Sequence, residues 1–478
     1  MTQNSRHSCD RETGMTSRDY VTASAIGVVL FLAVGFQVSF SVYFTELTRY
    51  FLVSARQVSC IAALQFGLPM MISPLSSAVM HNLGARPLIC TGGYMMSMAL
   101  IITAFSDYFS ILFFSHGIMA GIAFGLIIPP SLQYLEVNYR QRKPFNLVVI
   151  SSGALGGVIV PIACKFLIRV YQWDASLLVI SATLLNICAC SLLLKKPMGR
   201  VASTVTTTNL TQSEYVSGSS GDSANSVSNS GGRATPPTSS DASRSVNDMS
   251  SVVRNPSGKV RTVYPFTNDL ALVKTKPCYV MHLLIYFLLG LSLYVPVVHL
   301  NHRALASGQD ELWATFLVPA ISVGTLVSRV ALYFFSHNFS SYTIAAVAVA
   351  MAAVTNCLTP MGDTLAFLFA YALIHGFAKC CVTDTFDGRS VRIVEAVGSS
   401  FGLTLCRPLA GVGQSIGIVL AGNVFDTTGD YDVAFYAAGA ILTVAFLLVL
   451  STPLLYQCLE EDNEGSRKTA NTLFLEVV

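Results

Sequence analysis

The sequence predicts an all-α membrane protein with 12 transmembrane helices in two six-helix bundles. Three observations carry that prediction. Of the 478 residues, 53% are hydrophobic and only 12% are charged, whereas roughly a quarter of the residues of a soluble domain are charged. The apolar residues gather in runs of about 20, the length a helix needs to cross the hydrocarbon layer. One long polar interruption, Lys195 to Lys276, leaves six runs on each side of it.

In chain order, residues 1–19 hold no apolar run, and the run that follows is too long for the core of a cleaved signal. They are expected to form a cytosolic N-terminal tail. The first bundle, 20–194, has spans at 20–45, 57–80, 87–105, 110–134, 145–168 and 175–194. The linker, 195–276, is rich in Ser, Thr, Gly, Asn and Asp, as in SGSSGDSANSVSNSGG. Such a segment buries too little side chain to offset the entropy of ordering, so it is expected to be disordered. The second bundle, 277–456, has spans at 277–300, 312–335, 341–361, 364–383, 398–421 and 431–456, and residues 457–478 form a second tail.

Orientation follows from Lys and Arg in the short loops. With the termini in the cytosol, the inner loops hold Arg86, Arg140, Arg142, Lys143, Lys195, Lys196, Lys274 and Lys276. The outer loops then hold Arg49, Arg56, Arg169 and Arg303. The sequons at Asn209 and Asn338 fall on the inner side, where no glycan is added.

Composition and motifs exclude several classes. A net charge of +3 without a basic stripe gives no nucleic-acid footprint. The 12 cysteines are scattered through apolar runs without metal or redox spacing, so neither metal nor cofactor is expected. HExxH and carboxylate-rich motifs are missing from the sequence, which argues against an enzyme.

Proline recurs inside the spans, at Pro69, Pro74, Pro129, Pro130, Pro161, Pro296, Pro319 and Pro408. Neighbouring helices must satisfy the backbone groups it frees, as a packed bundle does. Gly153 with Gly157, and Gly413 with Gly417, are spaced four apart and are expected to mark close helix approach. Two six-helix blocks joined by a long loop are the layout of a secondary transporter of the major facilitator type, with substrate held between the halves.

Several stretches resemble the monocarboxylate transporter family (solute carrier family 16). FDTTGDYDVAFYAAGA at 425–440 is similar to the family's lead-in to span 12, and GQSIGIVLAG at 413–422 to its span 11. YRQRKPFNLVVISSGALGG at 139–157 resembles its span 5 signature, with Arg142, Lys143, Pro144, Gly153 and Gly157 at the marked positions. The turn Leu83-Gly84-Ala85-Arg86 matches the family's turn into span 3. The sequence also departs from the family. Only Asp19 survives of the span 1 acidic-GGWGW signature, Val38 stands where the proton-coupled carriers place a lysine, and Thr325 stands four before Arg329 where they place an aspartate. Span 10, apolar in the family, here ends in Lys379 and an Asp/Arg cluster.

The resemblance implies a secondary carrier that moves a small organic anion across the plasma membrane by alternating access, as a symporter when protons are coupled. The bilayer, a proton as candidate co-substrate and a single-span accessory glycoprotein are the implied partners. Arg329 is the first substrate-binding candidate, because a guanidinium stays charged and its planar fork suits a carboxylate. Thr325 on its preceding turn is grouped with it. Arg407 in GLTLCRPLAG, near the middle of span 11, is a second membrane-depth cation. Gln37 and Ser41 lie one turn apart on span 1 and are expected to face the cavity. His282, His375 and Glu395 are the proton-coupling candidates, and Lys165 is expected to snorkel outward. Two other readings stay open: an uncoupled facilitator of amino acids or thyroid-hormone-like solutes, and a non-transporting membrane sensor or scaffold.

Overall fold

A computed structural model describes residues 17–139, 142–194, 251–254, 260–263, 277–335, 338–395 and 405–461. The N-terminal bundle comprises α1 (Ser17–Phe51), α2 (Ala55–Met71), α3 (Ser73–Leu83), α4 (Ala85–Ala104), α5 (Phe109–Leu112), a π-helical stretch (Phe113–Met119), α6 (Ala120–Tyr139) and α7 (Lys143–Leu192). The C-terminal bundle comprises α8 (Pro277–Leu293), α9 (Val295–Ala306), α10 (Glu311–Thr315), α11 (Leu317–Phe335), α12 (Ser341–Leu358), α13 (Leu365–Glu395), α14 (Cys406–Thr428) and α15 (Asp432–Glu461).

Ten helices are long and apolar enough to cross a membrane, and the bent pair α2 and α3 makes an eleventh crossing. The twelfth comes from α7, whose helix breaks at Gln172 (φ 68°, ψ 174°). Its first arm runs beside α1. Its second arm returns beside α4, where Ser97 donates to Ser181 O and Arg86 to Leu192 O. All 12 expected spans are present, with altered ends. Span 2 bends by 43° at Ile72, between Pro69 and Pro74. Span 7 breaks at Tyr294, just before Pro296. Spans 5 and 6 meet at a single non-helical residue rather than a polar loop.

The linker and both tails lie almost wholly outside the described residues. Within the linker, Ser251–Arg254 and Val260–Val263 pair as an antiparallel hairpin with Ser251 opposite Val263. Below, the membrane end shared by both termini and the linker is termed the linker end, and the opposite one the far end.

Small residues set the spacing of the helices, because lipid supplies no hydrophobic force to press them together. A Cβ on Gly417 would lie 1.9 Å from Leu291 O of α8, and one on Gly413 2.4 Å from Phe287 O, as the sequence spacing predicts. In α7 the tightest seam belongs instead to Gly156, where a Cβ would meet Phe31 O at 2.0 Å. Gly157 faces Ser322 of the other bundle, and Gly153 meets Val34 at 3.3 Å and Leu30 O at 3.6 Å, a looser approach. Gly324 and Gly376 bring α11 and α13 together in the same way.

A Gly376→Val substitution places a side chain where Ile321 O already stands, 2.0 Å from the Cβ position. It is expected to cost about 1–3 kcal/mol of packing. The checking measurement is the melting temperature and monodispersity of purified protein in detergent. An unchanged melting temperature contradicts the close α11–α13 seam.

Candidate functional site

A charge at membrane depth needs a partner or a water-filled space. In the linker-end half of the C-terminal bundle, charged side chains converge from three helices. Asp384 and Asp387 lie three residues apart on one face of α13 and reach different neighbours. Asp384 Oδ2 stands 3.6 Å from Arg329 Nε of α11, an ion-pair separation too long for a hydrogen bond. Asp387 Oδ2 accepts from Arg407 Nη2 of α14 at 2.8 Å. Arg329 also crosses to the other bundle, where its Nη1 donates to Ile150 O of α7 at 2.6 Å.

A line of hydrogen bonds ends on the same cluster. The Tyr286 hydroxyl donates to Asp387 Oδ1 at 3.0 Å, and Ser390 Oγ donates to the Tyr286 oxygen at 3.0 Å. His282 Nε2 lies 2.8 Å from Ser390 Oγ. Lys379, one turn before Thr383 on α13, holds its Nζ 4.8 Å from the ring centre of Tyr294.

The far end is held by contacts between bundles. Lys165 Nζ is bonded to Glu46 Oε1 of α1 at 2.8 Å and to Glu311 of α10. Arg49 joins the same Glu311 at 3.4 Å. Asp426 of α14 accepts from the backbone N–H groups of Ala55 and Arg56, both at 2.9 Å, and so caps α2 from the other bundle. Asn301 of α9 donates to Ser41 O at 3.0 Å. His299 and His302 share the Tyr431 hydroxyl at 3.2 and 3.0 Å and pack on Phe44 of α1. Burial in the turn before α15 holds the Tyr431 phenol well above its ordinary range, so it stays protonated.

The structure brings Arg329 and Arg407 into one cluster, although Arg407 stands in the first turn of α14 and not in mid-span. Thr325 Oγ1 is directed at Ile321 O and Gly376 O within the C-terminal bundle. Gln37 Nε2 donates to Gln65 O at 3.3 Å. Ser41 is buried, and its hydroxyl donates to Val298 O of the other bundle at 2.9 Å. Both ring nitrogens of His375 face partners, Leu293 O at 3.2 Å and Asn356 Nδ2 at 3.5 Å. The Glu395 side chain lies outside the described residues. Lys165 does not snorkel: it is 5% exposed and paired.

Sequence reasoning missed Asp384, Asp387, Tyr294 and the Glu46–Lys165–Glu311 group as working parts. A signal existed for the last, since two carboxylates and a lysine fall near the same membrane end of spans 1, 5 and 8. The groove lined by Trp313, Phe316, Pro319, Ala320, Val323, Phe369 and Leu373 is wholly apolar. It offers an anion nothing.

Two six-helix bundles that meet across a charged seam define a membrane carrier, not an enzyme. The Major Facilitator Superfamily model matches residues 26–406, and the chain belongs to that superfamily. Similar curated proteins are monocarboxylate transporters. Monocarboxylate transporter 13 of Rattus norvegicus is 25% identical over 425 residues, covering 88% of this chain and 86% of the relative. Monocarboxylate transporter 1 of Bos taurus is 23% identical over 475 residues, covering 95% and 89%. The resemblance read from the sequence is thus borne out. Among solved structures, a crystal structure of a mutant nucleoside transporter NupG superposes with a TM-score of 0.63 at 11% identity. It covers 90% of this chain and 99% of that one, a likeness of fold alone.

Asp387→Asn leaves Arg407 beside a neutral amide. It is expected to lower the melting temperature, and adding Arg407→Gln to recover part of the loss. The double-mutant cycle should give a coupling of about 0.5–3 kcal/mol. Strict additivity of the two changes refutes the pairing.

Proposed function

We propose that this protein is a secondary carrier that moves a small organic anion of the monocarboxylate type by alternating access. One observation carries the reading. Arg329, at membrane depth, bridges the two bundles through the main-chain oxygen of Ile150 and has its second partner, Asp384, only at ion-pair distance. A guanidinium held by a carbonyl can exchange that acceptor for a substrate carboxylate, a stronger, charge-assisted partner. Substrate arrival then loosens one bundle-to-bundle contact, which is the coupling a rocking carrier needs.

The far-end contacts form the opposing gate. Glu311 with Lys165, Asp426 with the start of α2, and Ser41 with Val298 all join one bundle to the other. In this conformation they hold the far end closed, and they must part before it can open. The Lys and Arg bias of the loops supports an orientation with the linker end in the cytosol and the far end outside, and the site of action we propose is the plasma membrane. Asn338, between α11 and α12 at the linker end, is then never glycosylated.

Uptake of a panel of labelled monocarboxylates into expressing cells tests the reading. Arg329→Gln is expected to cut uptake by about tenfold or more with surface expression unchanged, the scale of loss when a desolvated charge contact is truncated. Full uptake by that variant rules the reading out. The same assay at two pH values decides coupling. Uptake that rises with external acidity assigns a proton as co-substrate, and level uptake assigns a facilitator.

A further inference from the structure

The charge cluster leaves one cation unmatched. Arg329 is answered by Asp384, and Arg407 by Asp387. Lys379 lies within Coulombic reach of Arg329 and Asp384. Among the described residues, however, no carboxylate oxygen lies within 4.0 Å of its ammonium. What it touches is the face of Tyr294, 4.8 Å from the ring centre.

The position of that ring gives the contact meaning. Tyr294 stands at the break between α8 and α9. Its ring centre lies 6.2 Å from that of Phe66 in α2, so it sits where the bundles meet. His375, one turn before Lys379 on α13, donates to Leu293 O and fixes the break from behind. Lys379 is partly exposed, whereas Ala378 and Cys380 on either side are buried. An ammonium on a flexible four-carbon stem is thereby held over an aromatic face at the bundle interface, with a hydrogen-bonding shell still to fill.

We propose that Lys379, seated on Tyr294, is the anchor for the substrate's carboxylate, with Arg329 responding to it as the switch. This deepens the carrier reading above and rests on it. Arg329 and Arg407 stand beside Asp384 and Asp387, and Glu136 of α6, from the other bundle, acts on Arg407. Arg389 acts on His282 nearby. The ammonium of Lys379, without a carboxylate within ion-pair distance among the described residues, suits a single carboxylate, and the neighbouring rings of Tyr294 and Phe66 suit a short apolar or unsaturated body. A second carboxylate on the substrate is left without a matching cation and is disfavoured.

The test uses full-length purified protein, with labelled pyruvate uptake into proteoliposomes and the thermal shift that pyruvate induces. In Lys379→Gln the KM for pyruvate is expected to rise about tenfold or more, with little change in kcat and with the pyruvate-induced shift lost. Lys379→Arg and Tyr294→Phe keep most of both, and Tyr294→Leu raises KM. Malonate in place of pyruvate gives no shift. A wild-type KM in Lys379→Gln, an equal pyruvate shift in variant and wild type, or no shift in the wild type overturns the anchor. A normal shift without any wild-type uptake sinks the carrier reading and leaves the anchor standing.

Discussion

An ion held inside a bilayer protein has to be answered by an opposite charge or by water, since burying it alone costs several kcal/mol. The C-terminal bundle is arranged around that constraint. Asp384 and Asp387, three positions apart on α13, reach α11 through Arg329 and α14 through Arg407. One helix thereby ties two others, and the hydrogen bonds through Tyr286, Ser390 and His282 extend the tie to α8. Arg329 also donates one hydrogen bond to the other bundle, so the internal bracing of one half and its grip on the other meet in one side chain.

The two membrane ends solve the same problem differently. At the far end some ions pair across the bundles, as Lys165 and Arg49 do with Glu311, and others within one, as Lys165 does with Glu46 and Arg303 with Asp363 and Asp432. Asp426 meets the positive end of α2, where a carboxylate gains from both the free N–H groups and the helix dipole. At the linker end the ions pair within one bundle, and a main-chain carbonyl closes the seam. A neutral carbonyl is a weaker partner for a guanidinium than a carboxylate, so the contact between halves at this end is the easier one to exchange.

Glycine and serine seams complete the arrangement. Between the halves, α2 and α14, and α7 and α11, touch through small residues. A Cβ on Gly67 would meet Ser415 at 1.9 Å, and one on Gly157 would meet Ser322 at 2.5 Å. Within each half, Gly156, Gly324, Gly376 and Gly417 close directly on backbone carbonyls, and Gly92, Gly125 and Gly439 on side chains.

Run length and the polar interruption were enough to read 12 spans in two sets of six, because crossing a bilayer demands a fixed length of apolar helix whatever the neighbours are. They placed the reversal between 168 and 175, where Gln172 stands, but could not locate the break at Tyr294, which lies inside unbroken apolar sequence and is imposed by packing. Arg329 was legible because an arginine in a span is costly wherever it points. Lys379 was visible only as a charge crowding the end of span 10, and Lys165 only as a cation near a membrane end. Which carboxylates answer Arg329, Arg407 and Lys165, and which leave Lys379 unanswered, depends on side chains dozens to hundreds of positions apart. The sequence determines how many charges the membrane part must hold; only the tertiary structure decides how they pair, because pairing is a matter of ångströms between helices and not of spacing along one.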